Sequence, residues 1–514
     1  MIREWGGGLA VSRATLGVAA VGLLFAGLVI DRAWVSDDAY ITFRSVDNFL
    51  AGHGLRWNVA ERVQAYTHPL WMFLVAGATA LSGDVHGASL GLSLGLSFAA
   101  VWVLARRVAR GPMAALVALA PLIASTAFLD YSTSGLENPL LHFLLAAFLW
   151  RLFSDREPET RLLHLSLLVS ALVLTRPDAV LLVGPVLAAL GYRGRGQRPL
   201  AGIALGLLPL AAWECFSVVY YGFPLSNTAY AKLGTGIEAA ALWQQGGLYF
   251  LDSLRSDPAT LVFTGLGIGW AIGRGKSSDR LLATGAILYL LYVATIGGDF
   301  MRGRFLAAPL FLACGLLARV PIARVRSVAV VFVAAFLLAA IGTSPPWNPR
   351  SHHQIGIGPS PARHGIVDER ALYAEHTGLM ERLTGLGHPS QHPYAIRGLS
   401  LQRTGGGGGA GQALGLYGYY AGPGVHILDV VALTDPLLAR LPARSGRWRI
   451  GHFERAIPPG YARSLDEGQN RITDPALADY YEDLRRVTRG PLFSVPRWRA
   501  IGRLNFEAAP ETAK

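Results

Sequence analysis

Eleven apolar runs, separated by loops of which every second one is rich in arginine, constrain this chain more than any other feature of its sequence. The runs lie near residues 11–30, 88–104, 112–128, 139–153, 162–174, 179–190, 200–219, 258–272, 281–296, 305–317 and 328–341. A bilayer core takes about 20 apolar residues per helix, fewer where a helix is short or broken, so the pattern predicts a mainly α, polytopic transmembrane bundle of about eleven spans. The basic loops hold Arg106, Arg107 and Arg110; Arg151, Arg156 and Arg161; Arg193, Arg195 and Arg198; Arg274, Lys276 and Arg280; and Arg319, Arg324 and Arg326. Cytoplasmic loops collect Lys and Arg, which turns the alternate loops outward. Residues 69–81 are also apolar, but the run is short, starts at Pro69, and would invert every later loop if it crossed. It is expected as a helix or re-entrant segment at the outer interface, where Trp71 is at home.

Composition agrees, with 52% hydrophobic and 16% charged residues. The net charge of +12 does not point to nucleic acid, because the arginines gather in loops between apolar runs. Cys215 and Cys314 both lie in apolar runs, which excludes a disulfide framework or a thiolate metal site. Arg3 and Arg13 precede the first run, and without a clear small-residue cleavage site before Asp37 that run is expected to stay as an uncleaved helix. After Thr343 no spanning run remains. The chain therefore divides into a membrane domain, 1–343, with an outward loop at 31–86, and an extracytoplasmic domain of α/β or mixed type, 344–514. Apolar residues 425–433 suit a strand or buried turn. The glycines at 405–409 lack the Gly-Lys-Ser/Thr ending of a nucleotide-binding loop.

Directly after the first run comes Asp37-Asp38-Ala39-Tyr40-Ile41-Thr42-Phe43-Arg44. Charges this close to hydrocarbon are costly and are usually kept for function. One Asp could simply cap a helix beginning at Ala39. Two adjacent carboxylates repel unless a cation, a proton or a polar substrate offsets them. Phe43, Val46, Phe49 and Leu50 recur at helical spacing, which predicts an amphipathic helix lying along the outer leaflet and ended by Gly52 and Gly54.

The other outward loops also carry polar residues at helix ends. Ser134-Gly135-Leu136-Glu137 places a carboxylate at a helix start, where it is electrostatically favoured in any protein. In Thr175-Arg176-Pro177-Asp178 the aspartate could cap the next helix or pair with Arg176. Gly297-Gly298-Asp299-Phe300-Met301-Arg302-Gly303-Arg304 combines flexible backbone with two arginines, which suits a lipid phosphate or an anchor to headgroups. Tyr230 and Lys232 are a second such pair. A transporter would place its charges mid-membrane in broken helices, whereas these cluster at helix ends. A non-catalytic assembly or motility factor could keep the same pattern without the chemistry.

As a set these motifs, together with Gly52-His53-Gly54-Leu55, Glu61-Arg62-Val63 and Tyr66-Thr67-His68-Pro69-Leu70-Trp71, resemble the C-type (GT-C) membrane glycosyltransferases, and within them the mycobacterial terminal β-(1→2)-arabinofuranosyltransferase family. The resemblance covers most of the membrane region and parts of the tail, at 429–442 and 448–461. It implies transfer of a sugar, with arabinofuranose the candidate, from a polyprenyl-phosphate donor to a cell-envelope glycan at the outer face of the bacterial cytoplasmic membrane. Asp37 or Asp38 would serve as general base or steady an oxocarbenium-like transition state. Arg44, Lys232, Arg302 and Arg304 would hold the donor phosphate, and Tyr40, His68, Glu137, Asp178, Tyr230 and Asp299 would contact substrate. No cofactor is required. A hard divalent cation on Asp37, Asp38 and Glu137 is the alternative to a metal-free base.

Overall fold

The computed structural model describes residues 12–154, 160–193, 197–322, 325–347, 364–405, 408–409, 414–444 and 448–507. Of the expected basic loop positions, Arg156, Arg195 and Arg324 lie outside them.

All eleven apolar runs are helical: Arg13–Asp31, Val85–Val103, Pro112–Ala124, Asn138–Phe153, Arg161–Thr175, Val180–Arg193, Gln197–Tyr220, Pro258–Arg274, Ser277–Thr295, Ala307–Leu317 and Val325–Ile341. Proline in the first turn of Pro112–Ala124, Asn138–Phe153 and Pro258–Arg274 marks their starts, since its missing N–H has no helical partner there anyway. Eleven helices are not eleven full spans. Among the described residues three segments, Arg13–Asp31, Val85–Val108 and Leu200–Tyr220, are long and apolar enough to cross a membrane by themselves. Ala307–Leu317 has only 11 residues, roughly 17 Å against a core of about 30 Å.

Packing divides the chain into two compact units. The first comprises residues up to Val35, His86–Leu210 and Ala240–Leu386. Its centre is the helix Ala307–Leu317, every residue of which is buried. Neighbouring helices approach closely where side chains are small, as is usual between membrane helices. A Cβ on Gly285 would come within 2.1 Å of the Leu182 carbonyl, and one on Gly267 within 2.7 Å of the Ala313 methyl. The outer helices Arg13–Asp31 and Val325–Ile341 instead expose Leu16, Leu23, Val330 and Phe336, as lipid-facing helices do. The expected outward loop 220–257 is largely helix, with Asn227–Leu233 and Ala239–Ser256.

The second unit comprises Ser36–Val85, Ala211–Ala239 and Gly387–Lys514, so packing does not follow the expected division at residue 343. Strand among its described residues is one parallel pair, Gly408–Gly409 with Ile427–Leu428, and the rest is short helix and turn rather than an α/β sheet. The reason is local. Asp429 accepts hydrogen bonds from the Val431 and Thr434 backbone N–H groups, which turns the apolar run 425–433 directly after the strand residues Ile427–Leu428. Residues 69–82 form the helix Pro69–Ser82, 14 residues long, or about 21 Å.

Asp37–Leu50 departs from its expected form. It starts at Asp37 rather than Ala39, and Ser36 is the residue whose side chain caps it. It is also buried nearly all round, polar residues included, so it does not float on the leaflet with one wet face. Ile41, Trp57, Ala65, Leu414, Tyr417 and Ile427 share one core.

Candidate active site

The predicted residues fall into two sets, one in each unit. In the second unit lie Asp37, Asp38, Tyr40, Arg44, His68, Tyr230 and Lys232. Asp37 is 5% exposed, and its carboxylate accepts from the Gly415 N–H at 2.9 Å and the Leu416 N–H at 2.8 Å. Those are the opening residues of the helix Gly415–Ala421, whose first N–H groups have no helical acceptor. A Cβ at Gly415 would run into the Asp37 carbonyl at 1.7 Å, so glycine is needed for this approach. Burial, followed by repulsion from Asp38, pushes the Asp37 carboxyl up to about 6, against the pull of the two N–H groups. Asp38, next along the helix, is only half-buried. Of the twin carboxylates, Asp37 is buried on the Gly415 and Leu416 N–H groups and Asp38 is partly exposed.

Arg44 is not placed as a phosphate ligand. It is 2% exposed and donates to the carbonyls of Trp57 at 2.9 Å, Val425 at 2.7 Å and Gly418, with its guanidinium over the Trp57 ring at 4.3 Å. Its charge is satisfied by backbone, and burial pulls its pKa down to about 9. Tyr40 packs against Phe43 and Tyr419. His68 is joined to Thr42 by a 2.9 Å hydrogen bond through Nε2. Tyr230 packs on Phe223, with Arg440 over its ring at 4.5 Å. Lys232 is half-buried, within electrostatic range of His452, whose pKa burial, Arg449 and Lys232 push down to about 3.

The first unit brings the three other motif loops together. Glu137, 1% exposed on its side chain, accepts from Arg176 at 2.9 Å and from Arg304 at 3.0 Å. Arg176 also holds Asp178, with Nε at 2.9 Å from Oδ1, and Arg304 lies 3.8 Å from Asp299. The Arg176–Asp178 pairing is thus real but belongs to a larger chain: Asp178, Arg176, Glu137, Arg304, Asp299. Three carboxylates facing two guanidiniums leave no spare positive charge, so Arg304 is neutralised here rather than offered to a phosphate. Its neighbouring glycines are wedged, not loose. A Cβ at Gly298 (φ 74°) would strike Tyr249 at 2.5 Å, and one at Gly303 (φ 72°) would strike Ala127 at 2.6 Å.

Arg302 stands apart. It donates to Asp252 from Nε at 2.9 Å and from Nη2 at 3.3 Å, and lies 3.8 Å from Asp368. Its side chain keeps 25% exposure. It lines two clefts. One, of about 20 Å³, has room for about one water and is bordered by Trp34, Asp130, Tyr131, Asp368, Glu369 and Arg370. The other, of about 390 Å³, runs along Leu248, Leu251, Leu254, Pro258 and Ile341, with Arg255 and His364. Arg302 and Ser256 line both.

Sequence reasoning missed Asp252, Arg255 and Asp368. The helix Ala239–Ser256 carried the signal: Tyr249, Asp252, Ser253 and Ser256 recur at helical spacing on one face. Tyr249 donates to the Met301 carbonyl and accepts from the Phe305 N–H, so this face fixes the loop that bears Arg302. Among the described residues no group of three or more His, Cys, Asp or Glu side chains is placed to hold a metal, and Asp37, Asp38 and Glu137 form none.

No model of a known protein family matches the chain. It is 27% identical to the terminal β-(1→2)-arabinofuranosyltransferase of Mycobacterium tuberculosis, over 97% of this chain and 92% of that one. A second protein of that name, from Corynebacterium glutamicum, is 30% identical over 54% of this chain and 47% of its own length. Among solved structures, apo ArnT from Cupriavidus metallidurans superposes with a TM-score of 0.50 at 16% identity, covering 82% of this chain and 86% of that one. The chain is thus a mainly helical membrane protein with the GT-C glycosyltransferase fold, and terminal arabinofuranosyltransferases are among its sequence relatives.

Proposed function

We propose that this protein transfers a sugar from a polyprenyl-phosphate donor to a cell-envelope glycan, with the reacting groups at the outer face of the bacterial cytoplasmic membrane. The observation that carries this reading is the partly exposed Arg302 on a cleft of about 390 Å³ walled by Leu248, Leu251, Leu254, Pro258 and Ile341. A prenyl-phosphoryl sugar joins a greasy tail to a hydroxylated ring through a charged link. The tail suits the leucine-lined wall, and the phosphate suits a partly exposed guanidinium.

Asp38 serves as the base. It takes the proton of the acceptor hydroxyl as that oxygen bonds to the anomeric carbon, while the bond from that carbon to the phosphate oxygen breaks and the electron pair leaves with the phosphate. Arg302 offsets the charge that gathers there. Phosphate is a good leaving group, so no acid is needed. Asp37 holds the helix Gly415–Ala421 and through it the setting of Asp38. The alternating basic loops support the outward sidedness, and the names of the two curated relatives make arabinofuranose the sugar to try first.

The test is consumption of a panel of prenyl-phosphoryl pentoses and hexoses by the full-length protein in nanodiscs. Turnover of one of them, lost in Asp38→Asn, is the expected result. A protein that consumes none with any envelope glycan, or whose Asp38→Asn variant works normally, overturns the assignment.

A further inference from the structure

The helix Val495–Phe506 carries an apolar stripe that the rest of the protein leaves open. Val495, Trp498 and Phe506 are 61%, 39% and 91% exposed, and Phe493 just ahead of the helix is 79% exposed. At about 100° per residue, Val495, Trp498, Gly502 and Phe506 fall within one narrow arc together with exposed Arg499. A Cβ at Gly502 would meet nothing within 4 Å. The opposite face buries Arg497, Ala500 and Ile501.

That buried face fixes where the stripe stands. Arg497, 1% exposed, donates to the carbonyls of Val487, Leu492 and Tyr220, each at 3.0 Å. Asn505 donates to the Gly222 carbonyl at 2.9 Å. Gly222 has φ 88°, and a Cβ there would lie 2.2 Å from Val487, so the contact requires glycine. Tyr220 is the last residue of Leu200–Tyr220, a segment long and apolar enough to span a membrane, which exposes Leu200, Leu205 and Leu208 along its length. The rings of Trp213, Phe216, Tyr220 and Tyr221 pack on one another over its last turns. Aromatic residues in such a position mark the boundary between hydrocarbon and headgroups.

We infer that the Phe493, Val495, Trp498 and Phe506 face lies in the headgroup–acyl boundary of the bilayer and anchors the second unit to the membrane surface. An exposed apolar stripe of this size on an amphipathic helix is covered by something. Continuity with the end of a lipid-facing helix, and Arg499 on the same arc to meet lipid phosphates, make that cover the bilayer rather than a second copy of the chain.

The experiment uses full-length protein with Cys215 and Cys314 replaced by alanine and one new cysteine, Phe493→Cys or Val495→Cys, carrying an environment-sensitive fluorophore. A label on Glu467→Cys, at the exposed end of the helix Tyr461–Glu467, is the control. In nanodiscs containing doxyl-labelled lipid, the labels at 493 and 495 are expected to emit blue-shifted and to be quenched several-fold more than the control. Water-like emission with quenching equal to the control overturns the inference. So does a blue shift that doxyl lipid leaves untouched and that disappears on dilution, which would place a second copy there. Two label positions, both exposed, keep the result independent of either substitution's effect on folding.

Discussion

The two units answer most of their buried charge in different ways, with Glu61 against Arg489 in the second unit and Asp257 on the Ala127 N–H in the first as exceptions. In the first, side-chain ions face each other: Glu137 between Arg176 and Arg304, Arg302 against Asp252, Arg32 against Asp130 at 2.6 Å. In the second, buried ions face backbone: Asp37 takes N–H groups from 415 and 416, Asp435 from 437 and 438, and Arg44, Arg455 and Arg497 reach carbonyls. The difference follows from what each region lacks. Long apolar helices satisfy their own backbone, so a charge among them is answered mainly by another charge, and by N–H and hydroxyl groups at a helix end, as at Asp257. Short helices and turns leave N–H and C=O groups unpaired, and charged side chains fill them. Pairing of the first kind cancels charge, and Arg302, which also faces Asp252 and Asp368, differs from Arg304 in keeping 25% of its side chain exposed. Capping of the second kind leaves a carboxylate in place, with Asp38 beside it.

Four substitutions and one titration sharpen or break this contrast. The largest effect is expected from Asp38→Asn, which should lower transfer by about 10²–10⁴-fold in protein that still folds, as judged by its unfolding temperature. Asp37→Asn should lower transfer far less, because its amide oxygen still accepts from the N–H group at Gly415 or Leu416 and only the setting of Asp38 shifts. Next is Glu137→Gln, which leaves two buried guanidiniums short of a partner. Breaking a buried pair costs about 3–5 kcal/mol, readable as loss of stability in denaturant.

Titration comes third. Because the folded pKa of Asp37 is raised from 3.8 to about 6, its proton binds the folded state more tightly. The stabilising contribution is full below pH 3.8 and is lost as pH rises through about 6. At 1.36 kcal/mol per unit this is about 3 kcal/mol. Stability measured from pH 4 to 7 should show that decline in the parent, and Asp37→Asn should remove it. The smallest effect is that of Arg302→Ala. Hydrogen bonds to charged groups contribute about 1.5–3 kcal/mol, so donor kcat/KM should fall roughly 10–100-fold, measured beside the unfolding temperature because Asp252 loses its partner.

Legibility in the sequence followed the same divide. Helix positions in the first unit could be read because apolar length and arginine-rich loops are one-dimensional signals. The convergence of Glu137, Arg176, Asp299 and Arg304 could be suspected only as recurring polar helix ends, since nothing in their spacing says which loop meets which. In the second unit, Arg44 reads as a free cation on an amphipathic helix. Its three carbonyl partners come from residues 57, 418 and 425, and no local pattern predicts a contact made more than 370 residues away. The split between Asp37 and Asp38 was hidden for the same reason, because Gly415 supplies the N–H group that separates their roles.

The central claim, that Arg302 sits where the lipid phosphate is held, can be tested with a prenyl phosphate bearing a photoreactive group near its headgroup end, added to the protein in nanodiscs. The account predicts attachment to residues 248–258 and 341–343, reduced in Arg302→Ala. Attachment elsewhere in the bundle, unchanged by that substitution, would contradict it.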